Sequence, residues 1–285
     1  MDMAFIEKLC SRIALPVHET RLALAELTEH PQKIEALAEK AKQSPDILAE
    51  LVRQDPKNGL TCLCVVLFLC EELSLKYSAK GIAQQVMFDS LADIRIWCEN
   101  YTAKTGLPGL GEIHWLFLTL NLKLFRLHRL QFELADFSLP EHYKSGQNNI
   151  SLAPGDHVLN VHIPRLGPLV PQECADSFAL AQTFFPRYFP AHQTKALVCD
   201  SWLLFPALLD LIPPDSNLAR FQCLWAVKAV STAHPDHVLR YIFGEDYAEH
   251  LHDLPARTQL QAAAKAVLDA GGKLGTGYGL LDIRH

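Results

Sequence analysis

The period of the hydrophobic residues changes once along this chain, and that change divides it. From residue 2 to about residue 105 the apolar side chains recur at helical spacing. Residues 3–14 set Phe5, Ile6, Leu9 and Ile13 on one face. Ile34, Leu37, Ala38 and Ala41 repeat in the same way, as do Ile47, Leu48, Leu51 and Val52. Pro16, Pro31, Pro45 and Pro56 punctuate the segment, each preceding a helix-length stretch. Pro31 and Pro45 suit the first turn of a helix, with Ser44 as an N-cap. Residues 59–75 are nearly all apolar and predict a helix enclosed by its neighbours. No stretch alternates, so residues 1–108 read as an all-helical domain.

Beyond residue 109 the period drops to two. Phe125, Leu127, Leu130, Phe132 and Leu134 alternate with Arg126, Arg129, Gln131 and Glu133. This predicts a bent strand or tight hairpin turning at His128–Arg129. Residues 157–163 alternate again and stop at Pro164, residues 196–204 form a buried apolar run, and residues 274–283 read as a closing strand. Between them, residues 171–188, 217–230 and 258–270 have helical spacing. Asp215 or Ser216 caps the second of these helices, and Gly271-Gly272 ends the third. The order predicts an α/β (α+β) domain over residues 109–285, with a mixed central sheet flanked by helices.

Composition narrows the function. A chain of 285 residues, 49% hydrophobic and 20% charged, can bury a core and is not disordered. Its net charge is −6, with 12 basic against 15 acidic residues before Gly109 and 14 against 17 from it on. Neither part carries the positive surface that nucleic acid or an anionic membrane requires. Residues 81–101 have a helix-turn-helix look, but residues 76–105 are almost neutral, against a DNA-reading role. The run 63–70 is far shorter than the ~20 residues of a membrane span. Residues 1–10 lack a secretory pattern, and the eight cysteines, several in apolar runs, read as reduced core thiols of a cytoplasmic protein.

Metal and nucleophile chemistry find little support. His234 and His237, His250 and His252 with Glu249 and Asp253, and Cys62 and Cys64 are the close clusters. None has the spacing of a zinc site, and no metal is expected. Cys199, Asp200 and Ser201 fall inside a strand, without the Gly-x-Ser-x-Gly elbow of a hydrolase. The segment 164–171 is more informative, because it joins a strand to a helix N-terminus, where backbone amides and the helix dipole can hold a diphosphate. Its prolines donate no N–H, which leaves Arg165, Leu166, Gly167, Leu169 and Val170 as donors.

Six stretches carry a resemblance: DSLADIRIWCENY (89–101), LFRLHRLQFE (124–133), LNVHIP (159–164), ALVCDSWLL (196–204), PPDSNLARFQ (213–222) and LGTGYGL (274–280). In this order they resemble the bacterial acyltransferase-domain proteins that join a helical N-acyltransferase N-terminal domain to a GNAT-like C-terminal domain. The resemblance implies an acyl-CoA-dependent N-acyltransferase that moves an acetyl or other acyl group from a CoA thioester to a small-molecule or peptide amine. One departure stands out. The usual Arg/Gln-x-x-Gly-x-Gly/Ala pattern is not met, since Gly167 comes one residue early and Pro168 holds the first glycine's place.

Within that reading His162, at the end of a central strand, is the candidate base, with Glu133 and Asp200 as alternative carboxylates. Tyr278, between Gly277 and Gly279, is the candidate donor to the departing thiolate, and backbone N–H groups near 161–165 are candidate oxyanion donors. The competing reading is a non-catalytic binding or regulatory protein on a GNAT-like scaffold, whose helical half recruits a protein partner.

Overall fold

The computed structural model describes residues 1–144, 149–165, 167–244, 253–254 and 256–282. The chain forms two compact units, Met1–Glu133 and Leu134–His285. The first is built of α1 (Met3–Arg12), α2 (Val17–Glu29), α3 (Pro31–Gln43), α4 (Asp46–Gln54), α5 (Gly59–Lys80), α6 (Gln84–Leu91), α7 (Asp93–Thr105) and α8 (Ile113–Leu120). The helical expectation for residues 1–108 holds. Pro31 does open α3, whereas Ser44 does not cap α4: Pro45 takes the N-cap position, without a side-chain hydrogen bond.

Helix α5 is the hub of this unit. By length and composition 56–80 passes as a membrane span, yet its middle is packed by α2 and α3, with Cys62, Leu63, Cys64, Val65, Val66 and Leu67 fully buried. Gly81 ends it at φ +70°, where its N–H reaches Ser78 O and that of Ile82 reaches Tyr77 O. Burial pushes the Cys10 thiol up to about 11 and that of Cys62 to about 12, so both stay protonated and inert. The buried Asp93 nearby is held through one oxygen: its Oδ2 accepts from Trp115 Nε1 at 2.6 Å and from Gln131 Nε2 at 2.7 Å.

The alternating segment becomes β1 (Leu124–Leu127) and β2 (Leu130–Asp136), an antiparallel hairpin in register Leu127↔Leu130 and Leu124↔Glu133. His128 adopts φ +63° in the two-residue turn, as such hairpins require. The second unit adds α9 (Glu141–Lys144), β3 (His157–His162), α10 (Pro171–Tyr188), β4 (Ala196–Ser201), α11 (Asn217–Gln222), β5 (Ala226–Ser231), α12 (Pro235–Phe243), α13 (Gln259–Asp269) and β6 (Thr276–Leu281). The sheet runs β1-β2-β3-β4-β6-β5 and is mixed, with β3 and β4 parallel and β6 antiparallel to both β4 and β5.

Two expectations needed correction here. Residues 217–230 are not one helix. Ser216 Oγ caps Ala219 N–H, but α11 stops at Gln222, and turns through Leu224 N–H to Phe221 O and Trp225 N–H to Gln222 O redirect the chain. The next segment, with β-branched Val227 and Val230, is β5, because β6 offers it a ladder from Leu280 to Thr276, with a bulge between Val227 and Ala229. The strand over 196–204 ends at Ser201, whose Oγ accepts from Leu203 N–H and opens a short 3₁₀ turn, Trp202–Leu204. At the other helix Thr258 forms a full capping box with Gln261.

Candidate active site

Strands β3 and β4 part company. Their parallel ladder pairs Val158 with Ala196, Leu159 with Leu197 and Asn160 with Val198, and among the described residues it goes no further. Both strands continue, β3 to His162 and β4 to Ser201, where β4 stays paired with β6 alone. A parallel pair that opens at its C-terminal ends leaves a slot, and in open α/β sheets ligands bind at such ends.

Period two then decides which side chains share a face. Val158, Asn160 and His162 of β3 lie on the same face as Val198 and Asp200 of β4, and Asp200 is the ladder partner of Tyr278 on β6. His162, Asp200 and Tyr278 therefore stand on one face at the open end. Glu133 is the last residue of the first unit and stands half-buried opposite Leu124. On the reverse face, α10 and the paired part of β3 and β4 border an open apolar pocket of about 400 Å³, lined by Leu159, Phe178, Phe185, His192 and Leu197 among others.

The face of His162, Asp200 and Tyr278 is covered by an element the sequence did not announce, α9. Its Tyr143 is fully buried and lies in a cluster with Phe137, Val158, Val198, Ala229 and Tyr278. The Tyr143 hydroxyl is 2.6 Å from both Asp200 Oδ1 and Thr276 Oγ1. It carries one hydrogen, so it donates to the carboxylate and accepts from the threonine. Burial and the Asp200 charge push the Tyr143 phenol up, which keeps that hydrogen in place. His142 brings Nε2 to 3.8 Å from Asp200 Oδ2, and its ring meets His234 edge-on at 5.2 Å. Tyr278 is 4% exposed, with Phe137 and Tyr143 packed edge-on at 6.2 and 5.7 Å. Its phenol is pushed up by burial first and by Asp200 second, so it too stays protonated.

The glycines beside Tyr278 have a steric cause. A Cβ on Gly277 would sit 2.1 Å from Leu204 O, and one on Gly279 would sit 2.7 Å from Leu204 Cδ1. The turn after β4 lies against the reverse face of β6 and leaves no room for side chains there.

The loop from β3 to α10 flanks the open end. Arg165 is exposed, and its guanidinium lies 5.2 Å from the centroid of the Tyr241 ring, which stacks on Trp202 at 6.2 Å. Gly167 takes φ +72°, a left-handed conformation that suits glycine. Leu169 turns inward and is buried, and Val170 is the N-cap of α10, with no side chain capping the helix. Leu166 lies outside the described residues, as do Glu249, His250 and His252. Sequence reading therefore placed His162, Asp200 and Tyr278 together but missed Tyr143, Thr276 and His142, and weighed His234 only as a metal ligand. Two adjacent aromatic ring residues, His142 and Tyr143, after Pro140 were the available signal.

Comparison with known proteins accounts for nearly the whole chain. Residues 4–122 match the N-acyltransferase N-terminal domain and residues 124–281 the GNAT-like C-terminal domain. No curated protein sequence matches. Among solved structures, an acyltransferase in complex with decanoyl-CoA and teicoplanin is similar at TM-score 0.78 and 22% identity, over 97% of this chain and 87% of that one. A mutant acyltransferase in complex with octanoyl-CoA is similar at TM-score 0.78 and 21% identity, over 98% and 88%. A further acyltransferase complex, with decanoyl-CoA, gives TM-score 0.78 and 23% identity over 97% and 86%. At such identity these structures speak for the fold. The two family matches go further, and by them the chain belongs to the proteins that join an N-acyltransferase N-terminal domain to a GNAT-like C-terminal domain.

Proposed function

We propose that this protein is an acyl-CoA-dependent N-acyltransferase, passing an acetyl or longer acyl group from a CoA thioester to an amine on a small molecule or peptide. One observation carries the reading: β3 and β4 separate beyond Asn160 and Val198, beside a helix whose N-terminus no side chain caps. A slot of this kind takes a pantetheine arm, and an uncapped helix start takes a diphosphate. The candidate anchors are the Arg165 guanidinium and the backbone around Leu166, Gly167, Leu169 and Val170. Arg165 matters more here than in the usual loop, because Pro168 withholds an N–H and Glu173 already places a negative charge in the first turn of α10.

Holding amine and thioester together supplies most of the rate, ~7–11 kcal/mol of barrier for well-oriented reactants. The nitrogen attacks the carbonyl carbon, the C–N bond forms and the C–S bond breaks. His162 takes the proton that the nitrogen sheds, backbone N–H groups near 161–165 steady the oxyanion, and Tyr278, kept protonated, returns a proton to the sulfur. Asp200 adds negative charge where an ammonium must dock, and Glu133 is the reserve carboxylate. The decanoyl- and octanoyl-CoA held by the similar structures favour testing medium-length acyl groups first. Buried thiols suit the reducing cytoplasm, where we place the activity.

Isothermal titration with acetyl-, octanoyl- and decanoyl-CoA, then thiol release in the presence of amines, tests the proposal. Saturable heat with at least one acyl-CoA is expected. Absence of heat and of thermal shift with all three rejects the transferase in favour of a non-catalytic scaffold. Transfer undiminished by His162→Ala removes that residue from the mechanism.

A further inference from the structure

We infer that His142, oriented by Asp200, is the group that strips the proton from the acceptor's ammonium before attack, and that Tyr143 is the positioning residue that makes this possible. The inference rests on the transferase reading and adds a step to it. Primary amines titrate near ~10, as lysine does, so at neutral pH the acceptor arrives as an ammonium with no lone pair. Two protons must leave its nitrogen, one before the C–N bond forms and one after. His162 accounts for the second.

The geometry points to His142 for the first. Asp200 has two carboxylate oxygens with different surroundings. Oδ1 is taken by the Tyr143 hydroxyl, itself backed by Thr276. Oδ2 is turned to His142 Nε2, 3.8 Å away. A carboxylate pinned on one side and facing an imidazole on the other is the pairing in which a histidine serves as a proton acceptor. The pair is also open to solvent, with side-chain exposures of 22% for His142 and 33% for Asp200, so the proton can be passed to bulk water. Other titratable groups are placed differently. His234 touches the edge of the His142 ring, Glu141 and Lys144 pair with each other, and Lys228 of β5, on which α9 packs, lines a separate cavity with Asp156 and Lys195.

The step balances. The ammonium gives one proton to His142 and becomes a neutral amine, the amine displaces the thiolate, and the net products are amide, thiol and one proton released through His142.

Two acceptors test it on the full chain with decanoyl-CoA: a primary alkylamine, an ammonium at pH 7, and hydroxylamine, already neutral there. His142→Gln should lower the ratio of alkylamine to hydroxylamine transfer by about a hundredfold, the scale of a lost general base. Asp200→Asn should lower the same ratio, and Tyr143→Phe should do so to a smaller degree. In all three the deficit should shrink as pH rises toward the alkylamine's own pKa, a trend that a merely structural loss does not produce. An unchanged ratio in both His142→Gln and Asp200→Asn, or a deficit equal at every pH, overturns the assignment. A wild-type chain that acylates neither acceptor defeats the transferase reading itself, and this step with it.

Discussion

Two carboxylates in this molecule are gripped by aromatic donors at the same distance, and they illustrate opposite uses of one interaction. Asp93 accepts from Trp115 Nε1 at 2.6 Å and Asp200 from the Tyr143 hydroxyl at 2.6 Å. Asp93 is 3% exposed and also takes Gln131 Nε2, whereas Asp200 keeps a third of its side chain in solvent and turns one oxygen to His142. The first charge ties α7, α8 and β2 together inside the helical unit. The second is fixed on one side and available on the other, which is what acid–base chemistry needs. A hydrogen bond alone does not mark a site; the solvent access left over does.

The comparison can be broken in several ways. Asp93→Ala strands a half-buried indole N–H and a buried amide, and should cost about 3 kcal/mol in urea unfolding. Asp200→Asn should leave the unfolding midpoint nearly unmoved while lowering alkylamine transfer by roughly a hundredfold; a large loss of stability instead would make Asp200 a second Asp93. Gly277→Ala forces a Cβ against Leu204 O and should cost about 1–3 kcal/mol, read as a fall in thermal midpoint. Tyr143→Phe keeps the ring packing and loses two hydrogen bonds, one to charged Asp200 and one from Thr276, about 2 kcal/mol together. If Tyr143→Phe is as harmful as Asp93→Ala, the contrast between the two carboxylates fails.

The last effect is read by varying pH. Thiols of the helical unit titrate near 9.0 when unfolded but only about 11 for Cys10 and about 12 for Cys62 when folded. The folded state therefore holds protons that the unfolded chain releases. Stability from these groups is complete below pH 9 and should decline as pH climbs through 9 toward 12. Urea midpoints measured across that range, in wild type and in Cys62→Ala, should show a shallower decline in the variant.

Much of this was legible in the residues. Alternation in 157–163 and the buried run at 196–204 marked two strands that carry His162 and Asp200, while the parallel register that puts them on one face came from the structure. The hairpin at His128 was equally local. The strand at 226–231 was not: Ala226, Val227, Ala229 and Val230 fit either period, and only the ladder with β6 decides between them. Tyr143 was invisible as a site residue for a different reason. Its meaning lies in a bond to Asp200, 57 positions away, and another to Thr276, 133 positions away.

By itself the sequence determined where helical order yields to strands, which residues could be buried, and that several chemical side chains would alternate onto one surface. Those are consequences of backbone period and of side-chain polarity, both written residue by residue. Tertiary structure alone decided that β3 and β4 separate after three pairs, that Tyr143 and Thr276 immobilise one oxygen of Asp200, and that His142 faces the other. Such distances arise from packing distant segments against each other, and no local pattern encodes them.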